Sequence, residues 1–183
     1  MMKQTILATA LAAGFALASG SAALAVGSDT SAPPKPTPTT KDCEKGEVFN
    51  PDTGKCSKPS SKIFSDDQLY DAVREIAYAG HYDWALEVIA AAANPNDPRM
   101  LNYKGFIHRK LGHFDRAMDY YKAAIKLDPD YTLARSYMGQ GLASEGKMSA
   151  ARQQLFEIEQ RGGRDSWAYA ALEQSIREKA KVY

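Results

Sequence analysis

The hydrophobic pattern changes character along this chain, and each change predicts a different kind of segment. An apolar run over residues 6–18 follows a single Lys3 and gives way to the small-residue end Ala23-Leu24-Ala25. This is the layout of a bacterial secretory signal cleaved after Ala25. The run is shorter than the ~20 residues a spanning helix needs, and Gly14, Ser19 and Gly20 interrupt it and its flank, so a retained anchor is disfavoured. Residues 26–41, VGSDTSAPPKPTPTTK, hold four prolines and almost no apolar side chains. Such a stretch buries too little surface to offset its ordering entropy and reads as a disordered, extended spacer. In residues 43–56, CEKGEVFNPDTGKC, Val48 and Phe49 precede Asn-Pro-Asp-Thr-Gly, a turn sequence that predicts a small hairpin. From Ile63 onward apolar residues recur at spacings of three and four, the period of helical faces, so residues 63–183 predict an all-helical domain.

Within that domain one phrase returns three times: GHYDWA at residues 80–85, GHFDRA at 112–117 and GKMSAA at 146–151. The glycines lie 32 and 34 residues apart. A period of this length signals a solenoid of helical hairpins. Residues 98–131 carry the fullest pattern: Leu101, Gly105, His108, Gly112, Phe114, Ala117, Tyr121, Ala124 and Pro129. Looser copies span residues 66–97, with Leu69, Ala72, Ile76, Gly80, Tyr82, Ala85 and Pro95, and residues 132–164, with Met138, Gly139, Leu142, Gly146, Ala151 and Leu155. In the third copy Gln-Arg-Gly-Gly replaces the terminal proline.

The segment resembles tetratricopeptide repeats, and the resemblance implies a right-handed helical-hairpin solenoid of about three repeats. Physical roles follow for each residue type. Gly105 and Gly139 on first helices, and Ala85, Ala117 and Ala151 on second helices, sit where two helices approach closely. Gly80, Gly112 and Gly146 end first helices in the left-handed conformation. Lys104 and Arg135 stand at positions usually apolar, so their stems are expected to pack while their charges reach water. Residues 165–181, DSWAYAALEQSIREKAK, supply a capping helix with Asp165 as N-cap and Trp167, Ala171, Leu172 and Ile176 on one stripe.

Export changes the reading of the two cysteines, because thiols in an oxidising compartment pair. Cys43 and Cys56 are expected to form a disulfide, and closing a loop of about 14 residues removes roughly 3 kcal/mol of unfolded-chain entropy. The result reads as a stapled spacer in preference to a recognition module, although a grip on envelope polymer by this module is a further reading.

Composition narrows the function by exclusion. The formal charge is +1, and loss of Lys3 with the signal leaves 22 basic against 22 acidic residues. Bulk charge therefore argues for neither nucleic acid nor a membrane surface as partner. No Gly-x-Ser-x-Gly motif and no phosphate-cradling loop occurs, so no catalytic residue, no cofactor and no enzyme activity is expected. His81 and His113 fall at solvent-facing turn positions, and His108 at an inter-helix aromatic position. His108 and His113 are five residues apart across Gly112 and are expected to diverge, so no metal site is predicted.

By the aligned register, the concave groove of such a solenoid is lined here by Tyr70, Arg74, Tyr78, Arg99, Asn102, Phe106, Arg109, Ser136 and Gln140. Aromatic and arginine side chains suit protein recognition, and the basic bias of the set favours an acidic or C-terminal peptide segment. The Lys-and-Asn carboxylate clamp of chaperone-tail-binding relatives is not reproduced, since Tyr70, Arg74 and Tyr103 stand at its positions. The expectation is a non-enzymatic adaptor of the periplasm or secreted fraction. The alternative is a self-associating envelope protein, a homo-oligomer with contacts at Trp167, Tyr169 and Tyr183.

Overall fold

A computed structural model describes residues 33–180. The signal expected over residues 1–25, residues 26–32 of the spacer and the last three residues, with the expected contact at Tyr183, lie outside the described residues. Helix α1 (Pro38–Asp42) leads into the antiparallel hairpin β1 (Val48–Asn50) and β2 (Lys55–Ser57), in which Val48 faces Ser57 and Phe49 faces Cys56. Seven longer helices follow: α2 (Asp66–Tyr78), α3 (Tyr82–Ala91), α4 (Pro98–Lys110), α5 (Phe114–Leu127), α6 (Thr132–Ser144), α7 (Met148–Gln160) and α8 (Trp167–Ala180). They pack as adjacent pairs, α2 with α3, α4 with α5 and α6 with α7, and α8 closes over α6 and α7.

The helix boundaries follow from local chemistry. Ser65 and Gln68 form a reciprocal capping box at the start of α2. Asp97 caps α4 by accepting from the Arg99 amide at 2.8 Å, and Pro98 takes the first helical position, where a missing N–H costs nothing. Gly80, Gly112 and Gly146 have φ of 87°, 80° and 71°. Behind each, the next residue's amide reaches back to the carbonyl five positions earlier, as in His113 N to His108 O at 2.8 Å. The third repeat lacks the terminal proline but uses the same device: Gly162 has φ 72°, and Gly163 N bonds to Ile158 O at 3.0 Å.

Small residues sit where predicted. A Cβ on Gly105 would stand 2.6 Å from the Tyr121 ring, and one on Gly139 2.6 Å from Leu172 of the capping helix. Ala85, Ala117 and Ala151 are wholly buried. The cap itself differs by one residue from the sequence expectation, because Ser166 Oγ, in place of Asp165, accepts from the Tyr169 amide at 3.2 Å. A serine directly before the first helical turn has the shorter reach to that amide.

Two expectations need correction. The spacer reading of residues 26–41 fails at its end, where Pro38–Asp42 is helical with Thr37 as N-cap and Pro38 in the first turn. The helix exists because α2 offers it an acceptor. Glu75, buried, takes the amides of Thr37 and Thr40 at 2.7 and 2.9 Å and both threonine hydroxyls. The Cys43–Cys56 disulfide is formed, and beside it Val48 packs into the core with 1% of its surface exposed. Residues 37–57 therefore sit on the repeat domain as part of its packing. The second correction is Arg135, whose head is not in water. Its Nη2 and Nε donate to the Pro129 carbonyl at 2.8 and 3.3 Å, leaving the residue 8% exposed. Lys104 behaves similarly, with Nζ donating to the Pro95 carbonyl at 2.8 Å. In each of these two repeats a first-helix cation, from a different register position in each, serves the carbonyl of the turn proline before it.

Candidate functional site

The face built from the first helices α2, α4, α6 and α8 divides into a filled half and an open half. The filled half lies toward the helix N-termini. Tyr70 is buried, its ring 5.8 Å from Tyr103 and its hydroxyl 3.5 Å from that of Tyr131. Asn102 is fully buried and donates to the Tyr131 hydroxyl at 3.4 Å, so it does not line an open groove as expected. Ser136 is also fully buried, donating to the Ala168 carbonyl of α8 at 2.7 Å. Arg99 is spent on carboxylates, bonded to Asp67 at 2.8 Å and to Asp97 at 3.0 Å, with its guanidinium 4.8 Å from the Tyr70 ring centre. Burial opposes its charge, yet those two carboxylates outweigh burial and raise its pKa above the ordinary arginine value.

Four of the nine predicted groove residues are thus occupied internally or buried in this half. The reason is the aromatic content of the first helices. Tyr103, Phe106, Tyr137 and Trp167 form a run of ring contacts at 5.2–6.2 Å from α4 through α6 to α8. Side chains of this size fill the space between consecutive first helices instead of lining an empty trough. Trp167, expected as a self-association contact, meets Tyr137 edge-on at 6.2 Å.

The open half lies toward the C-terminal ends of the same helices. Tyr78 stacks on Phe106 at 5.2 Å with 10° between planes, and its hydroxyl bonds to Tyr137 at 2.7 Å. Burial raises the Tyr78 pKa, with the Tyr137 bond opposing. Phe106 is itself 4% exposed, so its ring acts as the floor of this half. Above that floor stand two cations: Arg109, 5.6 Å from the Phe106 ring centre and 5.9 Å from that of Tyr137, and Lys110, 5.7 Å from Phe106. Arg109 Nε also donates to the Tyr121 hydroxyl at 3.4 Å, which fixes its stem. Burial pushes the Tyr121 phenol up to about 12, so it remains a neutral acceptor.

Neither Arg109 nor Lys110 has a carboxylate within ion-pair distance among the described residues. Burial and the neighbouring Arg109 charge both lower the Lys110 pKa, the signature of a cation pair that lacks a counter-charge. Beside them a cleft of about 370 Å³ runs between α4, α6 and α8, lined by Arg109, Gln140, Ser144, Ser175, Glu178 and Lys179. Arg109 and Gln140 were legible in the sequence. The α8 contributions were not, since the capping helix has no counterpart in the repeat register. Arg74 lies on the same face of α2, partly buried, 3.9 Å from Asp71 and 5.8 Å from the Tyr70 ring centre.

The histidines contradict the sequence expectation. His108 and His113 do not diverge: their Nδ1 atoms are 3.3 Å apart, and His108 stacks on Tyr120 at 5.4 Å with 9° between planes. The left-handed turn at Gly112 folds residue 113 back over the last turn of α4, which five-residue spacing along an unbroken helix would not do. Among the described residues no group of three or more potential metal-ligating side chains exists and no cysteine is free.

The site is therefore a cationic, aromatic-floored surface on a stack of helical hairpins, a class of arrangement suited to binding. Residues 98–131 match the tetratricopeptide repeat family model, which are the residues of α4, α5 and the turn leading into α6. No solved structure matches the chain. Tetratricopeptide repeats in general mediate protein–protein interaction or scaffolding, and the match extends over this hairpin.

Proposed function

We propose that this protein is a non-enzymatic adaptor of the cell envelope that binds a peptide segment of a partner protein at the open half of its first-helix face. The observation that carries the reading is the Arg109–Lys110 pair, held over Phe106 and Tyr137 without a carboxylate partner beside a 370 Å³ cleft. An acidic side chain or a C-terminal carboxylate would supply the missing counter-charge, bidentate on the guanidinium. Tyr78 and the Phe106 edge would receive an apolar side chain one or two residues away, and Gln140, Ser144 and Ser175 would bond the peptide backbone. Envelope location rests on the signal-like residues 1–25 and agrees with the oxidised Cys43–Cys56 pair.

The test is fluorescence anisotropy with a panel of labelled acidic, neutral and basic peptides, with free and amidated C-termini. Acidic peptides should bind preferentially, with an affinity that falls as salt rises. Arg109→Glu should abolish this preference, whereas Arg99→Glu should affect folding stability and leave the charge selectivity of any binding intact. Equal affinity for all peptides, or Arg109→Glu binding like the unmodified chain, would overturn the proposal.

A further inference from the structure

We propose that His108 and His113 form a bidentate zinc-binding site at the turn of the second repeat. The distance between the two Nδ1 atoms is 3.3 Å. Without an ion, one ring can donate Nδ1–H to the other across this distance, its direction set by the tautomers. As a metal bite it fits: two imidazole nitrogens about 2.05 Å from a tetrahedral ion stand about 3.3 Å from each other. A square-planar ion would draw two adjacent nitrogens closer, to about 2.8 Å, so the spacing fits a tetrahedral ion such as zinc.

The site is held by structure on both sides. The His108 ring is fixed by stacking on Tyr120 and is only 7% exposed. The His113 backbone is fixed by its amide bond to the His108 carbonyl at 2.8 Å, across Gly112 at φ 80°. A side chain other than glycine is strained at that φ, so the return of residue 113 over residue 108 depends on Gly112. The His113 side chain makes no cap hydrogen bond to α5 and faces solvent, which leaves it free to ligate and gives an ion a way in. Burial, with the Arg116 and His113 charges, lowers the His108 pKa.

Binding needs both Nδ1 lone pairs, so any Nδ1 proton moves to Nε2 of the same ring and the imidazoles remain neutral ligands. Two protein nitrogens leave two tetrahedral positions for water or for a group from another molecule.

The neighbouring repeats are built-in controls. Their turns make the same backbone bonds, His81 N to Ile76 O and Lys147 N to Leu142 O, but neither carries a pair of imidazoles. The test is calorimetric titration of the untagged full chain with zinc chloride, beside His113→Ala, His108→Ala and His81→Ala. One zinc per chain is expected, about tenfold or more weaker in His113→Ala as the second ligand's effective concentration is lost, and unchanged in His81→Ala. His113 is exposed, so circular dichroism should show that variant folded even if His108→Ala is not. In nitrogen-detected spectra the Nδ1 signals of His108 and His113 should shift with zinc while those of His81 stay. No saturable uptake by the unmodified chain, an unaltered affinity in His113→Ala, or an equal loss in His81→Ala would overturn the proposal.

Discussion

Glu75 is the residue on which the attachment of the N-terminal module turns, and its removal can be worked through from the geometry. Oε1 accepts from the amides of Thr37 and Thr40 and from the Thr40 hydroxyl, while Oε2 accepts from the Thr37 hydroxyl alone. Hydrogen bonds to a charged group contribute roughly 1.5–3 kcal/mol each, and neutral ones about half that. Glu75→Gln can place its amide oxygen at the Oε1 position and keep three bonds. Its NH₂ then meets the Thr37 hydroxyl, which can turn to accept. What is lost is the charge assistance, on the order of 1–3 kcal/mol over the set. Glu75→Ala loses every bond, but its cost is bounded, because α1 can lift off and give its amides to water. The bound is what else holds the module, chiefly Val48, whose burial contributes about 1.5–3 kcal/mol. The alanine variant should therefore shed the module and leave the helical hairpins folded. Hydrogen exchange should show the Thr40 and Phe49 amides losing protection while those of α4 and α6 keep theirs, with the glutamine variant in between. Unchanged protection of Thr40 in Glu75→Ala would refute the reasoning, since no other side chain accepts from that amide among the described residues.

Two further perturbations probe the packing and the titrating groups. Gly139→Ala places a methyl 2.6 Å from fully buried Leu172, so overpacking of about 1–3 kcal/mol competes with a helix-propensity gain of about 1. A thermal melt should fall, and a double variant with Leu172→Ala should cost less than the two changes summed; strict additivity would sink the contact. The pKa of His108 is lowered from the ordinary 6.5 by burial, Arg116 and His113, so the unfolded chain binds the proton first. That stabilisation is complete above pH about 6.5 and is lost as pH falls from there through the lower, folded value. Unfolding free energies of His108→Gln and the unmodified chain should converge across this window, and parallel pH curves would count against it.

Helix pairing was legible because the cues are local and repeated. A glycine that needs positive φ, an alanine at a helix crossing and a proline after a last turn each act on neighbours a few residues away, so Gly80, Gly112 and Gly146 mark turns without any knowledge of the rest. The misread features depend on partners far along the chain. Thr37 and Thr40 look like spacer because nothing near them needs a helix; their acceptor lies 35 or more residues on. Asn102 and Ser136 have the register of groove residues, but Tyr131 and the Ala168 carbonyl occupy them first. The histidine pair departs from expectation because the left-handed turn at Gly112 brings residue 113 back toward residue 108 instead of carrying it away.

The two cations of the open half also lie in the last turn of α4, where any Lys or Arg is favoured by the partial negative charge of the helix end. This offers a purely structural account of Arg109 and Lys110, and it makes a different claim from the binding account. A charge kept only for the helix end contributes about 0.3–1 kcal/mol to stability and is indifferent to what passes over its other side. Arg109 departs from that picture in one respect: its guanidinium is held between the Phe106 and Tyr137 rings and the Tyr121 hydroxyl, close against the floor of the face. Arg109→Gln separates the two accounts, because it removes the charge while retaining a side chain that can still reach Tyr121. If the charge serves the helix end alone, the melting temperature falls slightly and peptide selectivity is untouched. If it serves a ligand, stability barely moves, while preference for acidic over neutral peptides drops by roughly tenfold, the loss expected of one charge-assisted bond of about 1.5 kcal/mol.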